Sequence, residues 1–100
     1  MPAYLVTATP IDELFQALAD ALETGLVEEM EPFGEELSNA LKRARMQPDG
    51  TAVWEEVCFC SVPLAQEREG MLDRYFRELS TTEVSRGDGW RRIEDLPRLF

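Results

Sequence analysis

Two cysteines separated by a single residue, Cys58 and Cys60, are the side chains of this sequence best suited to covalent chemistry. They lie where a predicted strand ends and a predicted helix begins, at Ser61. The backbone N–H groups at a helix start lower the pKa of a nearby thiol and bind anions. The segment is therefore a candidate for redox exchange, sulfur transfer or a soft-metal site. Cysteines also commonly fill a tight core as small apolar side chains, and that alternative remains open.

The same two cysteines indicate a cellular compartment. A disulfide between Cys58 and Cys60 would close a strained ring, so we expect both thiols to be reduced. The start of the chain lacks the basic region and the apolar stretch of a signal peptide. No apolar run approaches the roughly 18 residues of a membrane span. These features predict a protein of a bacterial-type cytoplasm.

Other kinds of catalysis find little support. The sequence has no histidine, which removes imidazole base catalysis and most zinc chemistry. The Gly87-Asp88-Gly89 segment lacks the third glycine of a phosphate-binding loop and is not followed by a helical pattern. Adjacent acids such as Glu28 and Glu29 are ordinarily solvated on a helix surface. We therefore predict no catalytic residue, no metal site and no cofactor.

The distribution of charge is the strongest signal in the sequence. Residues 1–41 contain nine carboxylates and no Lys, Arg or His, whereas the other 59 residues hold eleven acids and all ten cations. The nine are Asp12, Glu13, Asp20, Glu23, Glu28, Glu29, Glu31, Glu35 and Glu36. A surface of one sign attracts the opposite sign and repels nucleic acid and anionic lipid. The simplest interpretation is a solvated face that keeps the protein soluble.

A more specific hypothesis is that the nine carboxylates form a docking surface for a basic protein partner. Cationic protein grooves commonly bind nucleic acid, so an acidic protein that fills one acts as an inhibitor or adaptor. Direct binding to nucleic acid or membrane is disfavoured by the net charge of −10. Exposed ion pairs contribute only about 0–1 kcal/mol each, so tight docking also needs an apolar anchor. Phe33, Trp90 and Phe100 are the candidates.

In size, acidity and lack of catalytic groups, the chain is similar to phage-encoded blockers, including some anti-CRISPR proteins and other DNA mimics. This likeness is one of composition, and no motif carries it. It implies inhibition through protein–protein contact. Two alternatives remain: a thiol-based redox or sulfur-transfer protein using Cys58 and Cys60, and a small-ligand-binding module, which would contain a deep apolar pocket.

The elements that must position these residues begin with a strand from Ala3 to Ala8, which is rich in strand-forming side chains. Thr9-Pro10 is typical of a helix start, and Gly25 of a helix end. Apolar residues at helical spacing predict a first helix between these two points. A second helix is predicted from about Pro32 to Met46, with acids in its first turn and cations in its last.

The second half begins with a turn, Gln47-Pro48-Asp49-Gly50, followed by a strand from Thr51 to Cys60. Glu55 and Glu56 interrupt the apolar pattern of that strand. A third helix is predicted from Ser61 to about Leu79, with a possible break at Gly70. Residues 80–86 are then predicted as a strand, followed by an irregular apolar tail.

These elements predict one compact α+β domain spanning residues 1–100. Its order is β-α-α-β-α-β, with a small three-stranded sheet and about three helices on one face. Strand–helix–strand passages of this length favour right-handed crossovers.

Overall fold

The computed structural model describes residues 2–58 and 61–100 and shows an α+β fold built on an antiparallel sheet. Within these residues the strands are β1 (Ala3–Pro10), β2 (Arg45–Met46), β3 (Ala52–Val57) and β4 (Phe76–Val84). The helices are α1 (Phe15–Thr24), α2 (Gly34–Lys42), α3 (residues 65–75) and α4 (Asp88–Ile93). A 3-10 turn, Asp12–Leu14, precedes α1. The α+β class is thus confirmed. The described residues form four strands and four helices, whereas the sequence predicted three of each.

The strands are arranged in the order β2-β3-β1-β4, with every adjacent pair antiparallel. With α1 and α2 between β1 and β2, and α3 between β3 and β4, the connectivity is that of a ferredoxin-like split β-α-β arrangement. The strands joined through helices are therefore parallel to each other but separated by one strand. This fold supports many unrelated functions and assigns none by itself.

The main core lies on one face of the sheet, beneath α1, α2 and α3. Val6 of β1 pairs with Trp54 of β3, and both side chains are completely buried. The rings of Trp54 and Phe76 lie 5.3 Å apart in a tilted arrangement. Leu18 and Leu41 bring α1 and α2 into the same cluster. Because side chains alternate along a strand, Glu56 faces this core and Glu55 faces the opposite side.

The opposite face carries α4, so the expectation that all helices pack on one face is wrong. Gly89 of α4 lies against the Glu55 side chain, and a Cβ at Gly89 would come within 2.8 Å of Glu55 Oε1. β3 is consequently covered on both faces, which explains why residues 52–56 are all buried.

Two boundaries in the first half differ from the sequence pattern. Thr9 and Pro10 continue β1, where they pair with Arg77 and Phe76 instead of starting a helix. The second helix ends at Lys42 because Arg45 and Met46 form β2. In both cases pairing with a distant strand overrides a local helix signal. The stop at Gly25 is confirmed, since this residue caps α1 in the left-handed conformation at φ +86°.

The third predicted helix is also shorter than its sequence pattern. Helix α3 ends at Tyr75, and Phe76–Val84 forms β4 along β1. Its middle segment, Arg68–Leu72, is π-helical and contains Gly70, so the helix widens at this glycine instead of breaking. A Cβ at Gly70 would lie 2.7 Å from the Phe33 ring, which shows how closely the two elements pack.

The carboxy-terminal residues pack in an ordered way along β2 and α1. Backbone bonds join Met46 N–H to the Pro97 carbonyl at 2.8 Å and Leu99 N–H to the Ala44 carbonyl at 2.9 Å. The Phe100 ring stacks on Phe15 at 5.0 Å. The tail therefore continues the hydrogen bonding beyond the short β2 strand.

Candidate functional site

The acidic residues between α1 and α2 are held on a compact turn, residues 25–31, which we call the acidic turn. After Gly25 reverses the chain, Leu26 N–H binds the Ala21 carbonyl at 3.0 Å and Glu29 N–H binds the Gly25 carbonyl at 3.1 Å. Val27 inserts into the core with 1% of its surface accessible. These contacts fix the backbone of the turn, on which the side chains of Glu28, Glu29 and Glu31 are exposed.

All nine carboxylates of residues 1–41 are exposed. Asp20 accepts a hydrogen bond from Gln16 Nε2 at 3.0 Å. In the described part of the chain, the ion pairs join Arg68 to Asp73 and both Arg91 and Arg92 to Asp88, at 2.9 to 3.1 Å. None of these ion pairs includes any of the nine acids. Arg68, Arg91 and Arg92 thus pair with acids of the second half, and the nine acids have no ion-pair partner among the described residues.

The three aromatic residues predicted as partner anchors all have contacts within the protein. Phe33 is half-buried and packs on the core and on Gly70. The Arg43 guanidinium lies 4.0 Å above the Trp90 ring, and Phe100 stacks on Phe15. A partner would have to displace or extend these contacts to use the rings as anchors.

A different apolar residue, Leu26, is exposed near the start of the acidic turn. It is 58% exposed, and Glu28 and Glu29, two and three residues further along the turn, are also exposed. Glu28 folds toward Gly25, so that a Cβ at that glycine would be 3.9 Å from Glu28 Oε2. Leu26 was not predicted as a site residue, because a leucine next to a helix end ordinarily packs against that helix.

A second candidate site is a surface cavity of about 520 Å³ between the start of α2, the end of β3 and the start of α3. Phe33 and Val57 give it apolar walls, whereas Glu36, Cys58, Glu67 and Arg86 contribute polar groups. This volume falls in the range of small-molecule sites, about 300–1,000 Å³.

Cys58 and Glu67 meet inside this cavity. Each is about 3% exposed, and the Cys58 thiol donates a hydrogen bond to Glu67 Oε1 at 3.7 Å. The burial of Cys58 is typical of a packing residue and limits the access that a reactive thiol requires. The prediction made for Cys60 lies outside the described residues.

Glu56 lies on the same side of β3, two residues before Cys58, and is completely buried. Its Oε1 accepts a hydrogen bond from Trp54 Nε1 at 2.9 Å, but its Oε2 has no partner. Burial raises the pKa of Glu56 well above its usual range, and repulsion from Glu67 and Glu36 acts in the same direction. The indole hydrogen bond opposes this rise without cancelling it. Glu56 is therefore a carboxyl group that favours its neutral form.

The neighbouring Glu55 is also buried, but both oxygens of its carboxylate accept hydrogen bonds. Its oxygens accept hydrogen bonds from the backbone N–H groups of Gly87 and Gly89 at 2.8 to 3.1 Å. These donors belong to the first turn of α4, where the positive end of the helix dipole also favours an anion. The sequence predicted no helix after Gly87-Asp88-Gly89, and this prediction is wrong. The segment begins α4, and its backbone N–H groups bind the Glu55 carboxylate.

Glu56 and Glu67, which are both buried, were not predicted as site residues from the sequence. Two adjacent acids within an apolar strand were a usable signal, because charged residues are almost never fully buried without a specific role or partner. Glu67 carried no comparable signal, since its neighbours Gln66 and Arg68 are polar and its burial depends on how α3 packs.

The described residues contain no group of three or more His, Cys, Asp or Glu side chains placed to hold a metal ion. None of the helices in residues 2–58 and 61–100 combines the length and apolar character needed to cross a membrane. Comparison with models of known protein families, with curated proteins and with solved structures gives no significant match.

Proposed function

We propose that this protein is a small, acidic, non-catalytic interaction module that docks on a basic surface of a partner protein and acts as an inhibitor or adaptor. The observation that carries this proposal is the state of the nine amino-terminal carboxylates. All are exposed, and none forms an ion pair with a described residue. Their negative potential is therefore directed at solvent and available to another macromolecule.

Long-range electrostatics supplies the recognition step. A surface of one sign steers a partner of opposite sign and raises the association rate, an effect that weakens as salt increases. The partner surface that best matches this charge is a groove that binds nucleic acid, because such grooves concentrate Arg and Lys to neutralise phosphates. Occupation by this protein would then exclude the nucleic acid.

The acidic turn supplies a suitable anchor for the bound state. Because each exposed ion pair contributes only about 0–1 kcal/mol, the complex also needs apolar burial. Full burial of a leucine side chain is worth about 1.5–3 kcal/mol, and Leu26 is already 58% exposed among carboxylates. We therefore place the centre of the docking surface at Leu26, Glu28 and Glu29, and the other seven acids add to the negative charge of the amino-terminal part.

The test is affinity capture from a nuclease-treated lysate at about 50 mM and about 500 mM NaCl, a range over which the Debye length falls more than twofold. We expect a basic protein to be retained at low salt and released at high salt. The triple variant E28K/E29K/E31K should lose this protein, and L26A should weaken its retention. The recovered protein must itself bind nucleic acid and lose that binding when the acidic protein is added.

A matched triple variant separates a local surface from overall charge. E83K/E94K/D95K makes the same change in net charge at exposed positions of the second half, and we expect it to retain the partner. Equal loss in both triple variants, or retention unaffected by E28K/E29K/E31K, would refute docking through the acidic turn.

A further inference from the structure

A separate surface cavity lies between α1, the end of α2 and the carboxy-terminal tail. We propose that it receives the Leu26 side chain of a second copy of this chain, while Lys42 and Arg98 pair with the Glu28 and Glu29 carboxylates of that copy. This self-association uses the acidic turn but does not require the docking function. Three features support it: the lining of the cavity, a group of cations without carboxylate partners, and the exposure of Leu26.

The cavity combines apolar walls with a positive edge. Its volume is about 370 Å³, and its lining consists of Ala19, Leu22, Glu23, Lys42, Arg98 and Phe100. Leu22 is buried, whereas Lys42 and Arg98 are exposed. The two cations outnumber the single acid, so the formal charge of the lining is positive. A volume in the range that encloses small organic groups has room for a leucine side chain beside these cations.

Lys42, Arg45 and Arg98 form a group of cations with no carboxylate partner among the described residues. Arg98 Nη2 donates to the Lys42 carbonyl at 2.6 Å, and Arg45 Nη1 donates to the Leu96 carbonyl at 2.7 Å. Arg45 and Arg98 also lie opposite each other in a backbone bridge, where like charges are unfavourable. The carbonyl end of α2 contributes only about half a negative charge. Three positive charges therefore remain for an external carboxylate, in a chain with twenty acids and ten cations.

The acidic turn carries the complementary pattern. Leu26 is 58% exposed, and Glu28 and Glu29 are exposed without an ion-pair partner in the described part of the chain. Both surfaces belong to the carboxyl end of α1, since Leu22 lines the cavity and Leu26 follows the Gly25 cap of the same helix. A two-fold contact then lets each copy supply one leucine and receive one. A second copy is thus an occupant that the described residues themselves provide.

The experiment measures self-association of the purified protein by sedimentation equilibrium and by NMR at increasing protein concentration. We expect a dimer with a Kd on the order of 0.1–1 mM at about 20 mM NaCl, because the contact combines one leucine with weak, exposed ion pairs. At about 500 mM NaCl the dimer should weaken by about tenfold or more, since salt screens those pairs. The amide signals of Leu22, Leu26 and Lys42 should shift as the protein concentration rises.

Variants of each side test the contact directly. L26A should weaken the dimer by about tenfold or more through lost apolar burial. E28K/E29K/E31K and K42E/R98E should each abolish it, because like charges then face one another. Mixed in equal amounts, these two variants should form a one-to-one complex, since the unmodified turn of one meets the unmodified cavity of the other. K42E alone changes an exposed side chain and so remains informative if loss of the Arg98 hydrogen bond disturbs the tail.

R74E/R77E provides the matched control. It makes the same change in net charge as K42E/R98E at exposed positions of α3 and β4 that do not line the cavity, and it should dimerise as the unmodified protein does. A monomer up to about 2 mM protein, equal loss in the two double variants, or no complex in the mixture would overturn the proposal. A monomer that binds hexanoate through Lys42 and Arg98 would also overturn it and assign the cavity to a free carboxylate.

Self-association and partner docking fail separately. K42E/R98E removes the dimer but leaves the acidic turn unchanged, so capture of a basic protein from lysate should persist with this variant. Conversely, failure of that capture leaves the sedimentation and mixing results unaffected.

Discussion

Glu56 is an ionisable residue at a completely buried position of the fold. A carboxylate removed from water is strongly disfavoured unless it is paired or fully hydrogen-bonded, and Glu56 has one indole donor and one oxygen without a partner. Its pKa is raised chiefly by burial. The neutral acid is the form compatible with this position, so the proton on Glu56 becomes part of the folded structure.

This linkage predicts a pH-dependent stability that E56Q removes. The unfolded chain releases the proton near the ordinary pKa of 4.5, whereas the folded protein retains it to higher pH. Between those two pH values the folded state binds more protons, so the free energy of unfolding falls as pH rises. The amide introduced by E56Q cannot ionise and still offers an oxygen to Trp54. We expect E56Q to raise Tm by about 4 °C or more near pH 8, the shift given by roughly 1 kcal/mol in a domain of this size.

The advantage of E56Q should shrink as the pH approaches 4.5, which thermal unfolding followed by circular dichroism would measure. E35Q, which changes an exposed acid, should show no such convergence. A constant difference between E56Q and the unmodified protein at all pH values would mean that the proton on Glu56 is not coupled to folding.

Individual residues differ in how far sequence could predict their roles. The exposure of six of the nine acids was implied by their position, four opposite the apolar stripe of the first predicted helix and two in the first turn of the second. The burial of Cys58 agrees with one of the two alternatives that the sequence left open, a packing residue or a reactive thiol. Glu55 and Glu56 could not be assigned, because their burial on opposite faces depends on α2 and α4 both covering β3, which no local pattern encodes.

At the scale of elements, the first turn of α4 is attached to the sheet through the buried Glu55 side chain. It contains only six residues, too few for a stable isolated helix. Glu55 satisfies the N–H groups of Gly87 and Gly89, and Ile93 adds apolar burial at the other end of the helix. The carboxylate therefore replaces the capping side chain that this helix lacks.

Removal of Glu55 should accordingly release α4. We expect E55A to lower the free energy of unfolding by about 1.5–3 kcal/mol, the range for hydrogen bonds to a charged group, as measured by urea denaturation. The environment of Trp90 in α4 should change as well, giving a shift in fluorescence. E83A, at an exposed position of β4, should stay within about 0.5 kcal/mol. Equal effects of E55A and E83A would contradict the capping role.

The boundaries that sequence analysis missed have one physical cause. Strand β4 pairs with β1 over most of its length. Because of this long-range pairing, Thr9 and Pro10 belong to β1 and not to the first predicted helix. Phe76 and Leu79 likewise belong to β4 and not to the third predicted helix. Apolar residues at positions 72, 75, 76 and 79 satisfy helical spacing but are divided between α3 and β4. Elements defined by local chemistry, such as the Gly25 cap and the turn at Gly50, were predicted correctly.

At the scale of the whole molecule, the uneven distribution of charge affects stability, and under the proposed function it also provides recognition. The net charge is −10, and the ion pairs of the described residues lie within the second half. Like charges on a compact molecule repel one another, and unfolding relieves that repulsion by increasing their separation. The acidic surface, which has no ion pairs among the described residues, therefore lowers the stability of the isolated protein.

This trade-off predicts opposite responses of folding and binding to salt. Raising NaCl from about 20 mM to about 500 mM shortens the Debye length from about 20 Å to below 5 Å, which screens repulsion among the exposed acids. We expect Tm of the isolated protein to rise over this range, while retention of a basic partner falls. E28K/E29K/E31K should raise Tm at low salt and flatten its salt dependence, because it removes repulsion at its densest point. A Tm that falls with salt would mean that attractive pairs dominate the surface, and the acidic residues would then already be neutralised within the protein.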